Sequence, residues 1–235
     1  MTRLLVAAPL ALVAFGGAPA TVDADDQVVA DAAVTVFNER LTAAGWSSTG
    51  PFTQAAPEGG DDEPTQFGSC LSGFERYLNY TDVRFPGETA RAFSDNFELE
   101  NSDPEGTDAQ VGTFGYSGAV VLTAAESEVG ILDTFVEQLG AESTIACMTE
   151  QRVLASAPEK VTVSNDDDLG VGDASARLDL AVTMSYEGEE FSSPATLAVA
   201  RVDRSLVVVV VGGTGGGAGD LDPVAELAAM VESFG

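Results

Sequence analysis

The chain contains no histidine, and this limits the chemistry that its residues could perform. Ser-His-Asp triads and Cys-His pairs need an imidazole as general base, so neither can form. A Ser-Lys pair would have to use Lys160, the one lysine of the chain. Ala157 stands three positions before it, so the S-x-x-K spacing is missing. The sequence therefore argues against nucleophilic catalysis of these kinds.

Paired carboxylates are the remaining route to hydrolysis. A general acid and a second carboxylate suffice to cleave a glycosidic bond. With 38 acidic residues, however, accidental pairs are certain, so no single pair is informative. A carboxylate-dependent hydrolase stays open as an alternative to a non-enzymatic function.

Two further patterns could bind a metal or a cofactor. Asp166, Asp167, Asp168 and Asp173 offer the hard oxygens that calcium prefers, but the alternating D-x-[DN]-x-[DN]-G spacing is absent. This cluster is more typical of a solvated turn. Residues 213–218 match G-x-G-x-x-A between a predicted strand and a predicted helix, as a dinucleotide site requires. Asp220 and Asp222 would repel a pyrophosphate there. We therefore expect no metal and no cofactor, and a flexible link over 212–219.

The first twenty residues have the pattern of a secretory signal peptide. Arg3 supplies a positive charge, Leu4 to Phe15 form an apolar run of twelve residues, and Ala18-Pro19-Ala20 is an A-x-A cleavage signal. The run is shorter than the about 20 residues of a membrane-spanning helix. We predict cleavage near Ala20, no stable membrane insertion afterwards, and a secreted or extracellular protein. The nearest cysteine is Cys70, so we do not expect a lipoprotein.

Cys70 and Cys147 are an even pair in a chain that is predicted to be exported. Such pairs usually form disulfides, and this one would close a long loop. Two metal-binding thiols are the rival interpretation, but C-x-x-C spacing and histidine are both missing. We predict a Cys70–Cys147 disulfide.

The composition of the chain limits the classes of binding partner that it could have. The net charge is −28 and the hydrophobic content is 45%, which excludes global disorder. An acidic surface repels phosphate backbones and anionic membranes, so we expect no nucleic-acid partner. The charge could instead serve a cationic partner, or adaptation to a salty exterior where salt screens repulsion.

The N-terminal half mixes helical and strand patterns. A helix is predicted from Gln27 to Gly45, with Asp25 or Asp26 as its N-cap. Its proposed buried face comprises Val28, Val29, Ala32, Ala33, Val36, Phe37 and Leu41, and Trp46 should pack under its end. Beyond it we predict a loop over 47–66, a short helix around Cys70, strands over 90–99 and 111–123, and helices over 124–139 and 143–153.

The last third alternates apolar and polar residues, as strands do. Hairpin turns are predicted near 187–190 and 203–205, and a helix over 224–234 follows Asp222 and Pro223. Meandering strands with segregated helices predict an α+β fold, an antiparallel sheet packed with helices in a sandwich-like single domain. Along the chain we distinguish residues 1–20, the signal peptide; 21–66, an N-terminal helix and acidic loop; and 67–235, the α+β domain.

Three segments carry a resemblance to a known family. VGDASARLDLAVTM (171–184), PATLAVARVDRSLVVVVVGG (194–213) and DPVAELAAMVESF (222–234), with IACM around Cys147, resemble exported actinobacterial sensor-like domains. The extracellular domain of the serine/threonine kinase PknH is such a domain. The resemblance spans 67–235 and implies an antiparallel sheet, disulfide bonding and a ligand-binding cleft without known catalytic residues. This chain departs from the kinase in having one possible disulfide instead of two, and no kinase domain.

These observations favour a secreted, non-enzymatic binding or sensing module. Its partner would be an unidentified small molecule or a cell-envelope component. The expected cleft lies between the sheet and the helices around the two cysteines, lined by Phe93, Phe97, Phe114 and Tyr116. Core packing is the competing role for these rings. The carboxylate-dependent hydrolase and a structural cell-surface protein are the alternative functions.

Overall fold

A computed structural model describes residues 22–52, 70–71, 77–78, 83–101, 113–151, 160–186, 189–214 and 221–235. Outside them lie the predicted signal peptide and most of the short helix predicted around Cys70. The helices of the described part are α1 (Ala24–Ala43), α2 (Val129–Gly140), α3 (Glu142–Gln151) and α4 (Pro223–Glu232). The strands are β1 (Ser47–Pro51), β2 (Glu88–Phe93), β3 (Asp95–Asn101), β4 (Thr113–Ala124), β5 (Lys160–Asp166), β6 (Ala174–Tyr186), β7 (Glu189–Val202) and β8 (Ser205–Thr214).

The eight strands form one antiparallel sheet in the order β1-β3-β4-β8-β7-β6-β5. Strand β2 pairs with β4 on the same side as β3, so the two short strands lie end to end along one neighbour. The long strand β8 is central, between β4 and β7. The predicted α+β class and antiparallel sheet packed with helices are confirmed.

Each face of the sheet has its own layer of helices, because successive strand residues point to opposite faces. In β8, Leu206 and Val208 belong to the core beneath α2 and α3, which we call the disulfide face. Val207 and Val209 belong to the core beneath α1 and α4, which we call the α1 face. Burial on both faces explains why residues 206–211 form an unbroken apolar run.

Helix α1 starts earlier than predicted, and its buried face includes the predicted Ala33, Phe37 and Leu41 but not Val28, Val29 or Ala32. Asp23, not Asp25 or Asp26, is its N-cap, and its Oδ1 accepts from the Asp25 amide at 2.9 Å. Val28 is 68% exposed and Val29 39% exposed. The residues that α1 buries are Ala30, Ala33, Val34, Phe37 and Leu41. These five positions recur every three or four residues and therefore form one stripe along the helix, from which Val28 points away. Trp46 is buried, as predicted.

The N-terminal segment is part of the same sheet-and-helix body. The predicted loop over 47–66 instead begins with β1, which pairs with β3. Helix α1 is tied to α4, because Arg40 Nε and Nη2 donate to Glu226 Oε2 and Oε1 at 2.6 and 2.9 Å. The described part of 21–66 therefore contributes one strand to the sheet and one helix to the α1 face.

The predicted strand over 90–99 is broken at Ser94. The Ser94 amide donates to the Ala119 carbonyl at 2.9 Å, and the Ser94 hydroxyl accepts from the Ala119 amide at 2.7 Å. Phe93 pairs with Val120, whereas Phe97 pairs with Ser117. Four steps along one strand thus match three along the other, which is a β-bulge.

The C-terminal predictions are mostly confirmed. Tyr186 pairs with Glu189 and Val202 with Ser205, so both hairpins are present. The Asp222 carboxylate caps α4 by accepting from the Val224 amide at 2.9 Å. The predicted link over 212–219 is wrong at its start, since β8 runs on to Thr214. Among the described residues, no helix combines the length and apolar character needed to cross a membrane.

Candidate functional site

The predicted disulfide joins the helical layer to the chain that precedes β2. Cys70 and Cys147 are bonded, with their α-carbons 5.7 Å apart. Leu71 and Met148, which follow the two cysteines, are fully buried on the disulfide face. The bond therefore anchors α3 and the Cys70 segment over the same apolar surface.

Three of the four aromatic residues predicted to line a cleft share the disulfide face. Phe114 and Tyr116 lie in phase with Val120 and Leu122 along β4, and Phe93 pairs with Val120 from β2. Phe97 lies on the opposite face, where it is 1% exposed and its ring centre is 6.1 Å from that of Phe37. The bulge at Ser94 causes this separation, because one extra residue reverses which face the following residues occupy. Phe97 is therefore core, as the competing interpretation held.

Two glycines make room for aromatic rings directly on the sheet. A Cβ added to Gly212 would lie 2.2 Å from Cζ of Tyr116, its cross-strand partner. A Cβ added to Gly118 would lie 1.9 Å from Cδ2 of Phe52. Both rings thus rest on bare backbone, which only glycine permits. Glycine within a strand often marks a close backbone approach, but the sequence does not identify Phe52 as the group that approaches Gly118.

We call Phe52, Phe93, Phe114 and Tyr116 the aromatic cluster. All four side chains are half-buried. The ring centres of Phe114 and Tyr116 are 6.4 Å apart, and the Arg91 guanidinium carbon lies 5.6 Å from the centre of the Phe93 ring. Burial raises the pKa of the Tyr116 phenol above its usual value, so this group is a neutral hydrogen-bonding group at physiological pH. The cluster offers a largely apolar surface with one phenol.

A buried ion cluster lies at the other end of β2. Glu88 is fully buried, bonded to Arg91 and, through Oε1, to Arg84 at 2.9 Å. Arg91 also donates to the Val83 carbonyl at 2.7 Å. Burial raises the pKa of Glu88 more than the two arginines lower it. These contacts fasten the chain before β2 to the sheet.

The carboxylate-dependent hydrolase required two buried carboxyl groups with raised pKa values facing one cleft. In the part of the chain that the structure describes, the buried carboxyl group of Glu226 pairs with Arg40, and the other buried carboxyl group is Glu88, whose pKa burial raises. Its oxygens are occupied by arginines and by the Phe85 amide. The described residues therefore bring together no acid-base pair of this kind.

An acidic pocket of about 450 Å³ lies where the end of α2 meets the turn between β5 and β6. Two of its four carboxylates have structural partners: Asp173 pairs with Arg201 at 2.9 Å, and Asp168 accepts from the Gly170 amide at 2.9 Å. Within the described ranges, no three potential ligands are grouped as a metal ion would need. The pocket is lined by Val136, Glu137, Gly140, Asp167, Asp168, Asp173, Ala174 and Ser175.

Comparison with known proteins gives no family. No family model and no curated protein matches this chain. Among solved structures it is similar to LpqN of Mycobacterium tuberculosis, described as involved in cell envelope biogenesis. That likeness has 11% identity and a TM-score of 0.27 over 64% of this chain and 76% of LpqN. PA94 of Pseudomonas aeruginosa, a protein of unknown function, gives 12% identity and a TM-score of 0.25 over 59% and 76%. At such scores neither likeness carries an argument about function.

Proposed function

We propose that this protein is an exported binding module that holds an apolar ligand against the aromatic cluster. The ligand is a small molecule or a component of the cell envelope with a substantial hydrocarbon part. One observation carries the proposal, namely the unequal burial of aromatic rings on the two faces at the same end of the sheet.

On the α1 face at this end, Phe97 and Trp46 are 1% and 6% exposed. On the disulfide face, Phe52, Phe93 and Tyr116 are left half-buried. Burying an aromatic side chain stabilises a fold by about 2 kcal/mol. A fold that leaves several rings partly exposed is therefore less stable than one that buries them fully. Half-buried apolar clusters of this kind are typical of binding surfaces.

Export is the second part of the proposal. It rests on the signal-peptide pattern of residues 1–20 and on the Cys70–Cys147 disulfide, a bond that persists in oxidising compartments. The resemblance to exported actinobacterial sensor-like domains is compatible with a ligand-binding role outside the cell. We favour binding over catalysis because the chain has no histidine and the described residues bring together no acid-base pair.

Native mass spectrometry of protein purified from its secreting host tests the proposal directly. We expect a mass above that of the polypeptide, which organic extraction removes. The stripped protein should then bind the neutral apolar dye N-phenyl-1-naphthylamine saturably, with increased fluorescence.

Two substitutions at one position make the test specific. Tyr116→Ser removes a ring from the aromatic cluster, whereas Tyr116→Phe keeps the ring and removes only the phenol oxygen. We expect dye affinity to fall about tenfold in the first variant and little in the second, since loss of the ring contact should cost about 1.4 kcal/mol of binding free energy. Far-UV circular dichroism checks that both variants fold. Equal dye binding by Tyr116→Ser and wild type would reject the aromatic cluster as the site.

A further inference from the structure

The two edges of the sheet differ in how well they are protected against pairing with another strand. At one edge, the Gln27 side chain of α1 bonds to the backbone of Arg91 in β2, donating to its carbonyl at 2.8 Å and accepting from its amide at 3.4 Å. The Asp23 amide donates to the Thr89 carbonyl at 2.8 Å. Strand β1, which completes this edge, is five residues long and ends in Pro51. These features block the addition of another strand.

The opposite edge is β5, where the described residues provide no such protection. It has seven residues, with neither proline nor glycine, and among the described strands it pairs with β6. None of the backbone hydrogen bonds among described residues joins its outer edge to another segment. Thr162 and Ser164 are exposed, and Val163 is half-buried at the margin of the core on the disulfide face. An edge of this kind is a template for strand addition.

The sequence of β5 is complementary to itself in the antiparallel sense. In a two-fold pairing centred on Val163, position 160 of one copy lies opposite position 166 of the other. Lys160, the one lysine of the chain, would thus face Asp166 at both ends of the pair. Thr162 would face Ser164, and Val163 would face Val163 of the second copy. Opposite charges and hydroxyl pairs directly across two strands are the favourable cross-strand combinations.

We propose that two copies of this chain pair through β5, antiparallel and centred on Val163, to form one continuous sixteen-stranded sheet. The partner is a second copy because β5 carries a positive charge at Lys160 and a negative charge at Asp166. In an antiparallel pair of identical strands, each charge then lies opposite one of the other sign. The interface is small and each copy carries a net charge of −28, so the dimer is weak at low salt. Salt that screens the overall repulsion tightens it.

Sedimentation velocity from micromolar to about 1 mM protein, at low and at 0.5 M added salt, measures the association. Lys160→Glu places like charges at both ends of the pairing, and we expect the dissociation constant to rise at least tenfold. The double variant Lys160→Glu/Asp166→Lys reverses the order of charges and restores complementarity. Its dissociation constant should return to within about threefold of the wild-type value.

A matched control separates the local pairing from the overall charge. Lys160→Glu/Asp25→Lys has the same composition and net charge as the restoring variant, but its lysine lies on the exposed first turn of α1. We expect this control to remain at least tenfold weaker than wild type. The proposal is overturned by a monomer at every concentration and salt, or by dimers that are equally tight in the restoring variant and in its control. Because the readout is self-association, it is independent of ligand binding at the aromatic cluster.

Discussion

The phenol end of Tyr116 occupies the space of a side chain on Gly212 of the neighbouring strand, so a Cβ at position 212 would come within 2.3 Å of the phenol oxygen. The two residues are direct cross-strand partners. The ring therefore occupies the space of the missing side chain. The Tyr116 side chain is half-buried, so part of it stays available for contact.

Gly212→Ala tests this contact. The added methyl group must displace the Tyr116 ring, and overpacking of this size costs about 1–3 kcal/mol. We expect urea denaturation to show that loss, and we expect weaker binding of N-phenyl-1-naphthylamine by the folded variant. Gly130→Ala in α2 is the control, because a Cβ there meets nothing within 4 Å. That variant should keep its dye affinity and gain up to about 1 kcal/mol. Unchanged stability and binding in Gly212→Ala would contradict the placement of the ring.

Arg91→Met should make stability depend on pH through Glu88. Burial raises the pKa of Glu88, and Arg91 opposes that rise, so its removal raises the pKa further. When the pKa of a carboxyl group is higher in the folded state, its contribution to the free energy of unfolding is complete below the unfolded pKa of about 4.3. That contribution is lost as the pH rises through the pKa of the folded state. We expect the variant to be less stable than wild type by about 3 kcal/mol at pH 7. The deficit should shrink toward pH 4.

Urea unfolding of wild type and variant from pH 4 to pH 8 measures that difference. Glu88→Gln/Arg91→Met is the control, since it lacks the titrating group and should show a deficit that does not vary over this range. A constant deficit in Arg91→Met as well would mean that Glu88 is not the group responsible.

The disulfide should stabilise the protein mainly by restricting its unfolded chain. The cysteines are 77 positions apart, and a loop of that length corresponds to about 4 kcal/mol. We expect Cys70→Ser/Cys147→Ser to unfold at correspondingly lower urea concentration. Intact-mass measurement with alkylation, before and after reduction, checks the bond itself. Two alkylated thiols without reductant would refute it.

The start of α1 offers a pair of variants that distinguishes the observed cap from the predicted one. Asp23 accepts hydrogen bonds from the amides of Asp25 and Asp26. Asp23→Ala should therefore cost about 1 kcal/mol of unfolding free energy. Asp25→Ala removes an acidic residue from the same turn without removing the cap, and should cost much less. Equal losses, measured by thermal or urea unfolding, would contradict Asp23 as the N-cap.

Local patterns in the sequence predicted the class of fold because they depend on neighbouring residues alone. The apolar run over 206–211 indicates a strand that is buried on both faces, and the turns at 187–190 and 203–205 close hairpins by local geometry. Asp222 before Pro223 starts a helix for the same reason. Cys70 and Cys147 could be paired from their number and from the predicted compartment.

What depends on distant partners could not be predicted in this way. Phe93 and Phe97 are four positions apart, which in a regular strand would place them on a common face. The bulge at Ser94 separates them, and it depends on two hydrogen bonds to Ala119, which is far along the chain. Nothing near Phe52 in the sequence indicates that its ring will rest on Gly118.

By itself, the sequence determined the absence of an imidazole, the acidic charge, the cysteine pair, the alternation of the strands and therefore the α+β class. The tertiary structure alone decided which rings meet. It assigned Phe52, Phe93, Phe114 and Tyr116 to one face and Phe97 to the other. The physical reason is that strand register and bulges arise from hydrogen bonds between strands, and one residue of register moves a side chain from one face to the other.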